Sequence, residues 1–336
     1  MTAIQEVQRK DLRGSGGVEE AQHVTAAQRK TPRARKEART GWLFMAPFAI
    51  LFFFIFIVPI GVSIYSSFFQ TKAVGGGAFG GGESKKVFVA FDNYEYVITN
   101  TDFWSGIGRV ILYTALQVPV MIIAALALAL LIDSMIVRHV TVFRLGWFLP
   151  YAVPGVVAAI IWLCIYTPAI SPINSLFETF GGTFTIDFFG RKMIIASMAN
   201  MTTWTFTGYN MLIFLAALQA IPHDLYEAAR LDGATNWQIV TKIKIPMVRG
   251  AALLAVLLSI VGTIQLYNEP AVMETANKWM GTAYTPMMMA LNTAKGYMTP
   301  KGDGPASAIA IVMALIAGIL ALLYFYIDRK VGSSNE

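Results

Sequence analysis

Apolar stretches of about twenty residues, the length that crosses a bilayer, constrain this chain more than any other feature. Six can be drawn, at 42–69, 104–132, 147–166, 194–220, 251–267 and 306–327. Backbone inside hydrocarbon must satisfy its own N–H and C=O groups, so such stretches become helices. The expected fold is therefore an all-α polytopic membrane protein with six transmembrane helices. Composition agrees: a 336-residue chain that is 56% hydrophobic and 14% charged is too apolar for a soluble globule. The fifth stretch is short, and the first contains Pro47 and Pro59, so tilt or kinks are expected there.

The formal charge of +6 is not a nucleic-acid footprint, because its distribution explains it. Residues 1–40 form a basic tail carrying Arg9, Lys10, Arg13, Arg29, Lys30, Arg33, Arg35, Lys36 and Arg39. With few large apolar residues the tail has no core of its own, and disorder is expected. It is too long and polar for a cleavable leader. Arg138 and Arg144, then Arg230, Lys242, Lys244 and Arg249, then Arg329 and Lys330 fall on the tail's side of the spans. Fewer basic residues fall on the other side. The positive-inside rule then places both termini and the segment 221–246 on the cytoplasmic side of the membrane. The expected organisation is a tail at 1–40, a membrane domain at 41–330 and a short tail at 331–336.

The segment 221–246 reads IPHDLYEAARLDGATNWQIVTKIKIP. Pro222 suits a helix start, and Asp224 and Glu227 suit the positive end of its dipole. Leu225, Ala228 and Ala229 make one small apolar face, and Gly233 can end the helix at φ > 0. Thr235 is placed as the N-cap of a second helix carrying Trp237, Val240 and Ile243, stopped before Pro246. Two short helices joined at a glycine cannot bury themselves and need a groove.

This spacing resembles the integral-membrane permease subunits of bacterial ATP-binding-cassette importers. Their signature is Glu-Ala-Ala, three residues, Gly, nine residues, then Ile-x-Leu-Pro. Here it stands as Glu227, Ala228, Ala229, Gly233 and Ile243-Lys244-Ile245-Pro246, with Ile245 in place of Leu. The ending Gly304-Pro305-Ala306-Ser307-Ala308 resembles the carbohydrate-uptake branch, the maltose and glycerol-phosphate type. The resemblance implies the type I importer fold, a second permease, two cytoplasmic ATPase subunits and an extracytoplasmic solute-binding protein. It implies that ATP and Mg are bound by the ATPase and that the Glu-Ala-Ala loop couples hydrolysis to alternating access, with a disaccharide or oligosaccharide as cargo. This chain would hold no cofactor, metal or catalytic residue and would touch membrane lipid.

On the fourth span Asn200, Thr203, Thr207 and Asn210 fall within an arc of roughly 80° at about 100° per residue, with Trp204 beside them. Ser259, Gly262, Gln265 and Glu269 make a looser stripe on the fifth. Uncharged hydroxyls and amides backed by aromatic rings suit a sugar pathway, and they equally suit hydrogen bonds between membrane helices. Asn200, Thr203, Trp204, Thr207, Asn210 and Gln265 are the candidate pathway residues. Arg109 and Glu269 lie near span ends, where both are expected to reach water. The long segment 269–305 suits either a docking surface for a binding protein or an interfacial aromatic belt. The run 75–82 is a glycine spacer, and no Gly-x4-Gly-Lys-Ser/Thr phosphate loop occurs. The single Cys164 and the scattered His23, His139 and His223 make no metal site. Importers of glycerol phosphate, a polyamine or an anion are the alternatives within the family. An ATPase-independent secondary transporter is the alternative outside it, and a membrane enzyme fits least.

Overall fold

The computed structural model describes residues 32–74, 83–134, 138–181 and 185–332. Most of the basic tail and the glycine run 75–82 lie outside these residues. Contacts divide the chain into two units, 1–62 and 63–336. In the first, helix α1 (Pro32–Phe52) begins within the segment assigned to the tail and continues through a π turn at Phe53–Ile57. Helix α2 (Val58–Ser66) follows. The π turn stands directly ahead of Pro59, with the Val58 N–H bonded to the Phe53 carbonyl. A wider turn supplies room for the proline ring that a tight α turn lacks.

The second unit is organised around α4 (Thr101–Asp133) and α8 (Ile194–Gln219), which pack along one another more extensively than any other helix pair. The buried residues of α4 include Phe103, Gly106, Val110, Tyr113, Gln117, Met121, Ala125, Ala129 and Ile132, spaced by three or four. That spacing is one face of an α-helix. Ala125 and Ala129 are fully buried beside Met211, Phe214, Leu215 and Leu218 of α8. Small residues let helix backbones approach where no hydrophobic force drives association.

The remaining elements close around this pair. Strands β1 (Phe69–Val74) and β2 (Glu83–Phe88) form an antiparallel hairpin, followed by α3 (Asp92–Thr99). The hairpin departs from the all-α expectation. Asn93 of α3 pins it by donating to the Ser67 and Phe69 carbonyls at 2.6 and 3.0 Å. After α4 come α5 (Val140–Phe148), a 3-10 turn at Leu149–Ala152, α6 (Gly155–Tyr166) and α7 (Pro172–Thr179).

The stretch 147–166, expected as one crossing, is broken. The two halves of Val140–Ala152 and Gly155–Tyr166 meet at 98°. Pro154 explains the break: Val153 before it is extended at φ −79°, ψ 128°, because a residue preceding proline avoids the α region. After α8 come α9 (Asp224–Leu231), α10 (Asn236–Met247), α11 (Arg249–Ile264), α12 (Asn268–Ala276), α13 (Pro286–Ala294) and α14 (Asp303–Gly332).

Among the described residues three helical runs are long and apolar enough to cross a membrane alone: Arg39–Ser66, Thr101–Asp133 and Asp303–Tyr326. Three bent pairs qualify together, which allows up to six crossings. The end of α5 crosses α8 at Gly208, where an added Cβ would clash with the Trp147 carbonyl oxygen and the Phe148 backbone. Gly208→Ala should therefore force the helices apart. We expect a loss of about 1–3 kcal/mol, the range for overpacked sites, read as a lower melting temperature and less monodisperse protein in detergent.

Candidate functional site: a pinned elbow and a polar cavity

The Glu-Ala-Ala segment folds as an elbow at one end of the α4–α8 pair. Helix α9 ends in a left-handed residue, Gly233, at φ +82°. The Gly233 N–H bonds the Arg230 carbonyl at 3.0 Å and the Ala234 N–H bonds the Ala229 carbonyl at 2.9 Å. This is a Schellman closure, and a glycine is the residue that takes its left-handed position without strain. Thr235 caps α10 as expected, and Gln238 returns the bond to the Thr235 backbone N–H at 2.7 Å, completing a capping box.

One expectation for this segment is corrected. Helix α10 does not stop before Pro246: a π turn at Val240–Lys244 carries it through to Met247, with the Ile245 N–H on the Val240 carbonyl. This is the arrangement seen ahead of Pro59. The apolar faces expected to need a groove are only partly covered by the bundle, with Ala229, Val240 and Ile243 half-buried. Tyr226 and Ile239 enter the core with Ile132, Leu218, Ile221 and Val248, while Leu225, Ala228 and Trp237 stay exposed. Half of each short helix is thus held by the bundle and the other half is left free.

Lys244 fastens the elbow to α4. Its Nζ donates to Asp133 Oδ2 at 2.5 Å and stands 5.0 Å from the Tyr226 ring centroid. Among the described residues Glu227 pairs with His223, at 3.5 Å and with both side chains largely exposed, a pair of little energetic weight. Ala229 and Ile243 are half-buried, and Pro246 is exposed. The most exposed apolar side chains here are Leu231 at 90% and Trp237 at 74%. Leu231 was not singled out from sequence, although an apolar residue two before the helix-ending glycine falls outside the alanine face.

Farther along the bundle a cavity of about 280 Å³ opens between α4, α8 and α11 and the start of α12. Its polar walls include Gln117, Thr202, Tyr209, Asn210, Ser259, Gln265, Asn268 and Glu269. Gln117 is 1% exposed, and its Oε1 accepts no hydrogen bond from the described residues. Tyr113 donates to Thr202 Oγ1 at 2.6 Å, and Thr202 donates to Glu269 Oε1 at 2.9 Å. Glu269 therefore does not simply face water near a span end. Burial lifts its carboxyl above the ordinary carboxylate range, and its own backbone N–H and the Thr202 hydroxyl pull it back. Arg109 is also tied down: it donates to the Tyr284 carbonyl at 2.9 Å and lies 4.6 Å from that ring's centroid.

The candidate pathway residues do not stay together. Asn210 and Gln265 line this cavity. Asn200, Thr203, Trp204 and Thr207 instead line a mostly apolar depression of about 460 Å³ beside Trp147, Trp162 and Leu128. There Asn200 donates to the Tyr166 hydroxyl at 2.8 Å and Thr207 donates back to the Thr203 carbonyl at 2.5 Å. The cavity takes the arc of α8 that carries Thr202, Phe206 and Tyr209, about 100° round the helix from the stripe. Its sequence signal was available in Tyr113 and Gln117, polar groups four apart in mid-span, and in Thr202, Phe206 and Tyr209 at the same periodicity.

Residues 100–333 match the family described as the binding-protein-dependent transport system inner membrane component. The chain belongs to this family. Among relatives of this inner membrane component, the lactose transport system permease protein LacF of Rhizobium radiobacter is 29% identical over 299 residues. That alignment covers 86% of this chain and 94% of LacF. A probable ABC transporter permease protein of Pyrococcus horikoshii is 28% identical over 290 residues, covering 84% of this chain and 96% of its own. In fold, the inner membrane component is similar to a chain of the bacterial alginate ABC transporter solved with alginate pentasaccharide-bound periplasmic protein. The TM-score is 0.68 at 20% identity, covering 89% of this chain and 98% of that one.

The Asp133–Lys244 pair makes a prediction for this site. Both side chains keep some exposure, at 16% and 12%. Lys244→Met should therefore cost less than a fully buried pair, about 1–3 kcal/mol. Exchanging the charges, with Asp133→Lys and Lys244→Asp together, should recover part of the loss. Melting of the purified assembly, measured for both single variants and the exchange, checks this.

Proposed function

We propose that this inner membrane component is the permease subunit of an ATP-driven sugar importer in a bacterial cytoplasmic membrane. On this reading each bent helix pair counts as one crossing, giving six, and both termini lie in the cytoplasm. The elbow 221–246 then faces the cytoplasm. The observation that carries the proposal is the division of the elbow into a held half and a free half. Tyr226, Ile239 and Lys244 fix it to the bundle, and Leu231 and Trp237 present uncovered apolar surface beside the rigid Gly233 turn. A surface of that kind suits docking in a groove of another subunit. Any displacement imposed there is passed to α4 and α8.

The docking partner in this reading is a cytoplasmic ATPase subunit, two per importer, which bind ATP and Mg. A second permease completes the membrane part, and an extracytoplasmic solute-binding protein delivers cargo. ATP-driven closure of the ATPases shifts the equilibrium between two packings of the helices. The permease itself contributes the bistable element and no hydrolytic chemistry.

A sugar is supported by the character of the polar cavity and by the names of the relatives. LacF is a lactose permease protein, and the structural neighbour imports the polysaccharide alginate. Hydroxyls and amides over an aromatic and aliphatic floor give directional bonds together with an apolar face, which is the chemistry of a saccharide ring. The route we propose runs past Gln117, Asn210 and Gln265. The residues Asn200, Thr203 and Thr207 are assigned to helix contacts.

Two measurements test this reading in the reconstituted importer. Gly233→Val places a branched side chain at φ +82°, so it should leave the protein in the membrane while uncoupling ATP hydrolysis from transport. Native coupling in that variant would refute the elbow's role. Gln265→Leu strands hydroxyls of the cargo and should lower transport per assembled complex roughly tenfold to a hundredfold, about 1–3 kcal/mol. Thr203→Val should change transport per complex little, because its side chain opens on the other depression. The reverse pattern would return the pathway to the stripe.

A further inference from the structure

The polar cavity has a sign. Among its described lining residues Glu269 alone carries a charge, and none of the ion pairs among described residues involves it. The orientation of the hydrogen bonds strengthens this bias. The Tyr113 hydroxyl donates a hydrogen bond to Thr202, so the Thr202 hydroxyl turns its own hydrogen to Glu269, which accepts. Two of the cavity's amides, Gln117 and Asn210, already direct their nitrogens to internal partners. Gln117 Nε2 points to Met121 Sδ at 3.2 Å, and Asn210 Nδ2 donates to the Phe206 carbonyl at 3.0 Å. Gln117 also lines the cavity, and its Oε1 is an acceptor with no partner among the described residues, on a side chain that is 1% exposed. A buried acceptor without a partner is costly, and a ligand donor relieves that cost.

We propose that Glu269 is a charge-selecting residue of the cargo route, making the cavity accept neutral or amino-bearing saccharides and reject acidic ones. This rests on the reading of the cavity as part of that route. A sugar hydroxyl supplies the donor that Gln117 Oε1 lacks, and an ammonium group supplies the opposite charge that Glu269 lacks among the described residues. A carboxylate, sulfate or phosphate on the cargo would meet another anion in a poorly solvated space. Clefts lined by one sign of charge change the local concentration of small ions by tenfold or more.

The test probes the cavity with small charged reagents, so it does not depend on knowing the cargo. In the full importer, Ser259→Cys places a thiol on the cavity wall. It is combined with Cys164→Ala, because Cys164 is an exposed thiol. Modification of this chain is followed by mass with a trimethylammonium-ethyl and a sulfonato-ethyl methanethiosulfonate, each rate divided by that reagent's rate on a free thiol in solution. The corrected cationic rate should exceed the anionic one by about tenfold or more. Adding Glu269→Gln, which still accepts from Thr202, should bring the ratio close to one, and Glu269→Asp should keep it above one. Equal corrected rates in the parent, or a ratio unchanged by Glu269→Gln, would overturn the charge selection while leaving the cavity on the route. A thiol at 259 that no reagent reaches in any nucleotide state would overturn the route, and the charge selection with it.

Discussion

The close approach of α4 and α8 is the contact on which the rest of this structure depends. In a bilayer, lipid chains are as apolar as leucine, so helices associate through van der Waals contact and hydrogen bonds. Ala125 and Ala129 supply the close contact on α4, and Gly208 on α8 lets the end of α5 pass against its backbone. Larger residues at those positions would hold the helices apart. The separation would widen the polar cavity at one end and loosen the seat of Tyr226 and Ile239 at the other.

That arrangement gives α8 two tasks. Its 26 residues form a rod of roughly 39 Å at 1.5 Å per residue. Near one end Thr202 belongs to the chain of hydroxyls that reaches Glu269, and just past the other end Ile221 packs beside Tyr226 of the elbow. A tilt or rotation imposed at the elbow reaches the cavity because a hydrogen-bonded helix does not shorten. Lys244 adds the same link to α4 through Asp133. Two π turns belong to the same mechanics. Each stands directly ahead of a proline, Pro59 or Pro246, and each keeps a helix continuous where a missing N–H would otherwise interrupt it. Pro154 breaks its segment into two helices at 98°, whereas Pro119 lies within the continuous α4.

Much of this was legible in the sequence because the signals are local. Long apolar runs have one backbone solution in hydrocarbon, so the helical class and the approximate helices on α2, α4, α8, α11 and α14 followed from composition and length. Gly233 and Thr235 announced their caps, since a left-handed helix end and an N-terminal donor set each ask for a small number of residue types. The spacing from Glu227 to Pro246 carried the family. The β hairpin was less legible: its strands are short and flank a glycine run, and Asn93 fixes them from a distance in sequence.

The sequence by itself determined the membrane class, the caps of the elbow and the presence of polar residues in the spans. Only the tertiary structure decided which of those residues share a space. Helical periodicity gives the angle of Asn200, Thr203, Thr207 and Asn210 around α8, and it does not say which neighbour stands at each angle. Here α6 and Trp147 stand beside the first three, while α11 and the start of α12 stand beside Asn210 together with Thr202 and Tyr209. Tertiary packing likewise chose Tyr226 over Leu225 as the residue that anchors α9. It also turned Glu269 from a span-end carboxylate into the acceptor at the end of a hydroxyl chain. A side chain's identity sets which bonds it can make, and the neighbour across the helix interface sets which of them it does make.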